Sequence, residues 1–297
     1  MQKIVPNLWF DHNAAEAAGF YASVFPNARV TDTQLYPDEG LLDFQAELAG
    51  KELTVTFEID GYRFIAINAG PEFPVNPSVS FMLNFDPSRD PKARDQLDVL
   101  WSDLVADGEV LMPLGEYPHS PHYGWVKDRH GVSWQLILTN PAGEPRPFIV
   151  PTLLFCDRVQ NRAAEAAAFY TSTFPGARVG ADVRYSEQVG PAVVGAVMFT
   201  DIELCGQWFA LMDAAVEQAY TFNCGVSLMV ECDGQAELDH YWEALSSVPE
   251  AEQCGWCADR FGLSWQIVPA NLGDLMLTPN SFDALMAMKK IEISAFG

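Results

Sequence analysis

The chain has 297 residues, 49% of them hydrophobic, with 40 acidic against 17 basic side chains and a net charge of −23. That length and apolar content predict a folded chain of two ordinary domains, and the acidic excess argues against a surface built for nucleic acid or anionic membrane. Met1–Asn7 has no signal-peptide pattern and no apolar run approaches the ~20 residues that span a bilayer, so a cytoplasmic location without membrane contact is expected. All six cysteines lie in the second half, which predicts free thiols rather than a disulfide framework.

In chain order, residues 4–10 (IVPNLWF) read as a strand. Asn13 then caps a helix running to about Val24, with Glu16 at capping-box spacing and Pro26 beyond its end. Extended runs follow at Arg29–Tyr36, Leu42–Leu48, Thr54–Ile59 and Arg63–Asn68, and Asp60-Gly61 between the last two is a hairpin signal. The pattern then restarts, with a strand at Val79–Phe85 and a helix at Asp90–Ala106. Strands at Glu109–Met112, Gly124–Lys127 and Val132–Leu138 complete it, and a Pro-rich loop spans Glu116–Tyr123. This is a βαβββ module written twice.

The second half repeats the first. Ile4-Val5-Pro6 returns as Ile149-Val150-Pro151, and Ala15-Glu16-Ala17-Ala18 returns as Ala164-Glu165-Ala166-Ala167. Residues 123–137 (YGWVKDRHGVSWQLI) align without gaps on 254–268 (CGWCADRFGLSWQIV), with eight of fifteen positions identical where chance gives about one. Duplication explains this. The division predicted is a first domain over 1–140, a linker over 141–148 holding three prolines and a glycine, and a second domain over 149–297. Within 283–297, a helix end should lead into a short strand that pairs along a sheet edge.

The fold class predicted is α+β, four βαβββ modules forming curved, incompletely closed barrels; a ferredoxin-like sandwich uses similar elements. The Phe-Tyr pair late in the first helix, the Phe-Pro after it and the Asp-x-x-Gly turn before the last strand resemble the vicinal-oxygen-chelate (glyoxalase/bleomycin-resistance) superfamily. Gly-Trp-x-x-Asp-Arg-x-Gly-x-Ser-Trp-Gln, at Gly124–Gln135 and again at Gly255–Gln266, is similar to its PhnB-like branch, often labelled 3-demethylubiquinone-9 3-methyltransferase-like. The sequence offers no glycine-rich strand-to-helix turn followed by an acidic strand end, the usual cradle for a methyl-donating nucleotide.

Superfamily enzymes usually hold a divalent ion on His, Gln or Glu side chains of facing strands. The resemblance places Gln135 and Gln266 where a glutamate is usual, and an uncharged amide attracts a cation less. The other matching positions, around Asn7, Thr152, Ser80 and Ser227, carry no imidazole. His119 and His122 beside Glu116 form a His-x-x-His pair without the further ligands zinc requires, and Cys254-Gly255-Trp256-Cys257 reads as extended. No metal and no cofactor are therefore expected.

What remains is a pair of cups with aromatic strands and a few polar groups. The candidate ligand-binding residues are Trp9, Phe57, Asn68, Trp125, Trp134 and Gln135 in the first copy. Phe209, Asp213, Trp256, Trp265 and Gln266 are the candidates in the second. A small molecule, such as a flat cation held by stacking, is the partner favoured. A metal-dependent lyase, isomerase or dioxygenase and a non-catalytic partner-binding module are the other readings. Because single-unit members of such families commonly pair, an internal pseudo-dimer is expected, with a higher oligomer open.

Overall fold

The structure, a computed structural model, describes residues 2–38, 41, 47–278 and 280–296. The expected strand Leu42–Leu48 falls largely outside them. All four modules are present: β1 (Ile4–Phe10), α1 (Ala14–Val24), β2 (Ala28–Leu35), β3 (Glu52–Ile59) and β4 (Tyr62–Asn68) form the first. The second is β5 (Val79–Phe85), α2 (Ala93–Val105), β6 (Glu109–Tyr117), β7 (Ser120–Lys127) and β8 (Ser133–Leu138). β9 (Ile149–Phe155), α3 (Ala163–Thr173), β10 (Arg178–Arg184), β11 (Val197–Leu204) and β12 (Gln207–Asp213) make the third. The fourth is shorter, with β13 (Val226–Cys232), α4 (Gln235–Leu245), β14 (Trp256–Ala258) and β15 (Ser264–Pro269).

The modules pair across the repeats rather than within them. One open sheet of seven strands runs β14-β15-β13-β1-β4-β3-β2 and joins the first module to the fourth through antiparallel β1 and β13. The other, of eight strands, runs β10-β11-β12-β9-β5-β8-β7-β6 and joins the second to the third through β5 and β9. The compact units accordingly are Met1–Ala22 with Asn27–Pro74 and Phe222–Gly297 (unit 1), and Ser23–Pro26 with Val75–Thr221 (unit 2). The repeat boundary at 141–148 thus lies inside unit 2, and the compact units divide the chain differently from the repeats. Sequence pattern could not separate these pairings, because Val79-Ser80-Phe81 and Val226-Ser227-Leu228 offer β1 or β9 nearly identical apolar edges.

Local chemistry sets the turns. Asp60 and Gly61 between β3 and β4 both have positive φ, as do Cys205 and Gly206 between β11 and β12, the backbone a two-residue hairpin requires. The Asp-x-x-Gly motif is a turn that locks an indole: Asp128 Oδ1 accepts the His130 and Val132 N–H groups while Oδ2 accepts Trp134 Nε1 at 2.7 Å. Asp259 repeats this with Phe261, Leu263 and Trp265. The motif that is longest in sequence is therefore scaffold. Glu116–Tyr123, expected as a loop, is instead the tip of the β6–β7 hairpin, with Tyr117 opposite Ser120. In the tail, Cys254 and Gly255 N–H bond the Met288 and Lys289 carbonyls, but the expected short strand does not form among the described residues: Ile293–Phe296 is a 3-10 turn instead. Among the described residues no helix is long and apolar enough to cross a membrane.

Candidate functional site

The pleat decides which candidates reach a pocket. Adjacent strand residues point to opposite faces, so Trp134 and Gln135, or Trp265 and Gln266, cannot both line one cup. Trp134 and Trp265 are the ones turned into the core: both are fully buried, and Trp134 packs against Phe25 and Phe81. Phe57 is stacked between Tyr21 of α1 and Phe64, and Phe209 is buried on β12 beside α3. These four are a correction to the sequence reading: they are core.

In unit 2 the face away from the helices encloses a cavity of about 850 Å³. Gln135 and Trp125, opposite each other across β8 and β7, lie on it, together with Met82 of β5 and Met212 of β12. Met112 and Met198 add two more thioethers, and Tyr123, Phe199 and Tyr185 add rings. Gln135 is fixed on both ends: its Oε1 accepts the Tyr123 hydroxyl at 2.8 Å, and its Nε2 donates to Ser80 Oγ at 2.8 Å. Burial holds the Tyr123 phenol far above its ordinary titration range, so the pair is neutral.

One wall comes from the linker. Arg146 Nε binds Asp201 at 2.7 Å, its Nη1 lies 3.0 Å from Glu144, and its guanidinium stacks 3.8 Å above the Trp208 ring. Asp201 is nearly fully buried and also accepts the Ala181 N–H at 2.6 Å. Gly180 is required beside them: a Cβ there would lie 2.2 Å from Asp201 Oδ1 and 2.7 Å from Trp208. The cavity thus carries Glu144, Asp201 and Asp213 against the single guanidinium of Arg146. His119 also lines it, edge-on to Tyr123, and burial lowers its pKa toward a neutral imidazole at pH 7. Sequence reading missed Tyr123, Arg146, Asp201 and the methionines as lining; the alternation of Tyr123 with Trp125 along β7 was the available signal.

Asn68 and Asp213 occupy matching places and do matching work. Asn68 Oδ1 accepts the Ala14 N–H at the start of α1, and Asp213 Oδ1 accepts that of Ala163 at the start of α3. Their second atoms differ because their neighbours do: Asn68 Nδ2 donates to the Glu52 carbonyl, whereas Asp213 Oδ2 accepts the Val197 N–H. Asp213→Asn should therefore cost about 1–2 kcal/mol in urea unfolding at pH 7, since an amide NH2 would face that N–H group. Burial raises the Asp213 pKa, outweighing the stabilising N–H bonds, so the folded chain keeps this proton where the unfolded chain has lost it. Wild-type stability relative to the variant should be greatest in acid and fall as pH rises from the ordinary value of 3.8 through the raised one.

In unit 1, Trp9, Trp256 and Gln266 share the corresponding face, with Trp256 paired to Gln266 across β14 and β15. Trp9 Nε1 donates to the Gly70 carbonyl, and its ring meets Phe73 and Trp256 edge to face at 5.2 and 6.0 Å. Gln266 Nε2 donates to Ser227 Oγ, as Gln135 does to Ser80.

In unit 2 the residues present do not fit a divalent ion. Gln135 is engaged by Tyr123 and Ser80, the Asp213 carboxylate by two backbone N–H groups, and among the described residues no three His, Cys, Asp or Glu side chains are grouped as ligands. His122 turns away from His119 to bind Asp98 at 2.5 Å beside Arg94. Cys257 is buried with its pKa pushed up to about 12, and Cys254, half-buried, is also raised, so neither is poised as a thiolate.

A family model described as 3-demethylubiquinone-9 3-methyltransferase matches the chain twice, over residues 2–137 and 147–268. A solved PhnB protein from Bacillus cereus, carrying the same methyltransferase description, is 32% identical over 46% of this chain and 100% of its own, with a TM-score of 0.40. Glyoxalase I from Zea mays is 12% identical, covering 90% of this chain and 94% of its own at a TM-score of 0.53, a likeness of fold. No curated protein matches. With the family model covering both repeats, the chain belongs to the family described as 3-demethylubiquinone-9 3-methyltransferase, as a tandem duplicate with a glyoxalase-like fold.

Proposed function

We propose that the chain binds a flat, largely apolar small molecule, neutral or cationic, in the unit 2 cavity, through stacking and thioether contact and without a metal ion. The observation that carries this reading is the cavity itself: about 850 Å³, within the range that takes a drug-sized ligand, with a saturated neutral Gln135–Tyr123 pair and a surplus of carboxylates. Four methionines give a polarizable wall that adapts to an aromatic ring, and Trp125 supplies a stacking face. Net acidity favours a cation further.

Titration with proflavine, a planar aromatic cation, tests this by fluorescence polarization. Saturable binding should appear, persist in EDTA and weaken about tenfold in Trp125→Ala, the loss expected for one stacked ring. Absence of saturable binding would defeat the proposal. Binding abolished by chelator would point instead to a metal-dependent reaction.

A further inference from the structure

The two open faces have diverged at matching positions. In unit 2, Tyr123 supplies the proton that satisfies Gln135 Oε1, and Thr152 on β9 satisfies itself through the Val150 carbonyl. In unit 1 the gap-free alignment puts Cys254 where Tyr123 stands, so Gln266 Oε1 has no phenol donor of the kind that Gln135 uses. Asn7 stands where Thr152 does, only 4% exposed, and its Oδ1 has no hydrogen-bond partner.

Asn7 sits directly opposite Ser227 across β1 and β13, two residues from Trp9 on the same face. One buried amide oxygen without a donor, Asn7 Oδ1, is costly to keep empty of hydrogen bonds, and the Gln266 amide and the Ser227 hydroxyl lie on the same face. Above them stand three rings set nearly at right angles, Trp9 against Phe73 and Trp9 against Trp256. Perpendicular aromatic faces attract a cation, and a bare carbonyl oxygen accepts its N–H groups.

We propose that the open face of unit 1 is a second, chemically distinct binding site, selective for a primary ammonium group, with Asn7 and Gln266 accepting its N–H protons and Trp9, Phe73 and Trp256 enclosing its charge. The inference is independent of the reading of unit 2, which rests on other residues and another ligand shape. Unit 2 lacks the bare oxygen and should not share this preference.

The test is titration of the full chain with benzylammonium, benzyl alcohol and benzoate, read by tryptophan fluorescence. Benzylammonium should saturate with Kd below about 1 mM and at least tenfold tighter than either analogue. Asn7→Thr, which installs the side chain unit 2 uses here, should weaken benzylammonium at least tenfold while raising the Tm of the free protein by a few degrees, because a buried orphan acceptor is removed. Equal binding of benzoate, unchanged affinity in Asn7→Thr, or a lowered Tm in that variant would each overturn the assignment, the last by making Asn7 a structural residue. Loss of benzylammonium binding with proflavine binding kept defeats this inference alone, and the converse defeats only the reading of unit 2.

Discussion

Replacing Trp134 by alanine is expected to cost about 5 kcal/mol of stability. The indole is fully buried against Phe25 and Phe81, and truncating such a ring costs roughly 3–5 kcal/mol in lost burial and cavity. A second loss adds to it: Asp128, itself buried, would keep its two N–H bonds on Oδ1 but lose the indole donor on Oδ2. Trp134→Phe separates the two, preserving most of the ring burial while removing the N–H donor, and should cost about 1–3 kcal/mol. Urea unfolding followed by circular dichroism gives both values. A loss below about 2 kcal/mol for the alanine variant would show that the turn and the ring are not one unit.

Arg146→Ala should destabilise by about 3–5 kcal/mol although the residue lies in a proline-rich linker. Its guanidinium neutralises the buried Asp201, and removing one member of a buried pair leaves the other charge stranded. Stacking on Trp208 is lost as well. The double variant Arg146→Met with Asp201→Leu should recover most of the loss, since replacing both charges by apolar groups avoids the desolvation cost. A double-mutant cycle in urea measures the coupling. Additive effects would mean that the pair acts as two unrelated surface groups.

The sequence made the repeats, the four modules and most strands legible because each has a local cause. Asp60-Gly61 requires a hairpin wherever it sits between strands, and Asp128 with its following N–H groups forms its turn without help from distant residues. Gln135 was legible as a pocket residue for the same kind of reason, through a resemblance carried by a contiguous motif. What was not legible depends on partners far along the chain. The facing of Trp134 follows from the strand's phase, which an apolar run buried on both faces does not reveal. Arg146 looked like a linker residue because its partner Asp201 is 55 positions away. The role of Asn68 as a helix cap depends likewise on Ala14, 54 positions away at the start of α1.

The exchange of modules also sets an order of assembly. Residues 75–221 hold every strand of their sheet in one uninterrupted stretch, so that sheet can close before the chain is finished. β1 cannot: Ile4 pairs with Val230, and until that residue emerges the strand has an open apolar edge and a long loop still to close. β1 is thus made well before the strand that completes its edge, and a chain cut short anywhere before β13 leaves a sticky edge exposed for quality control to find.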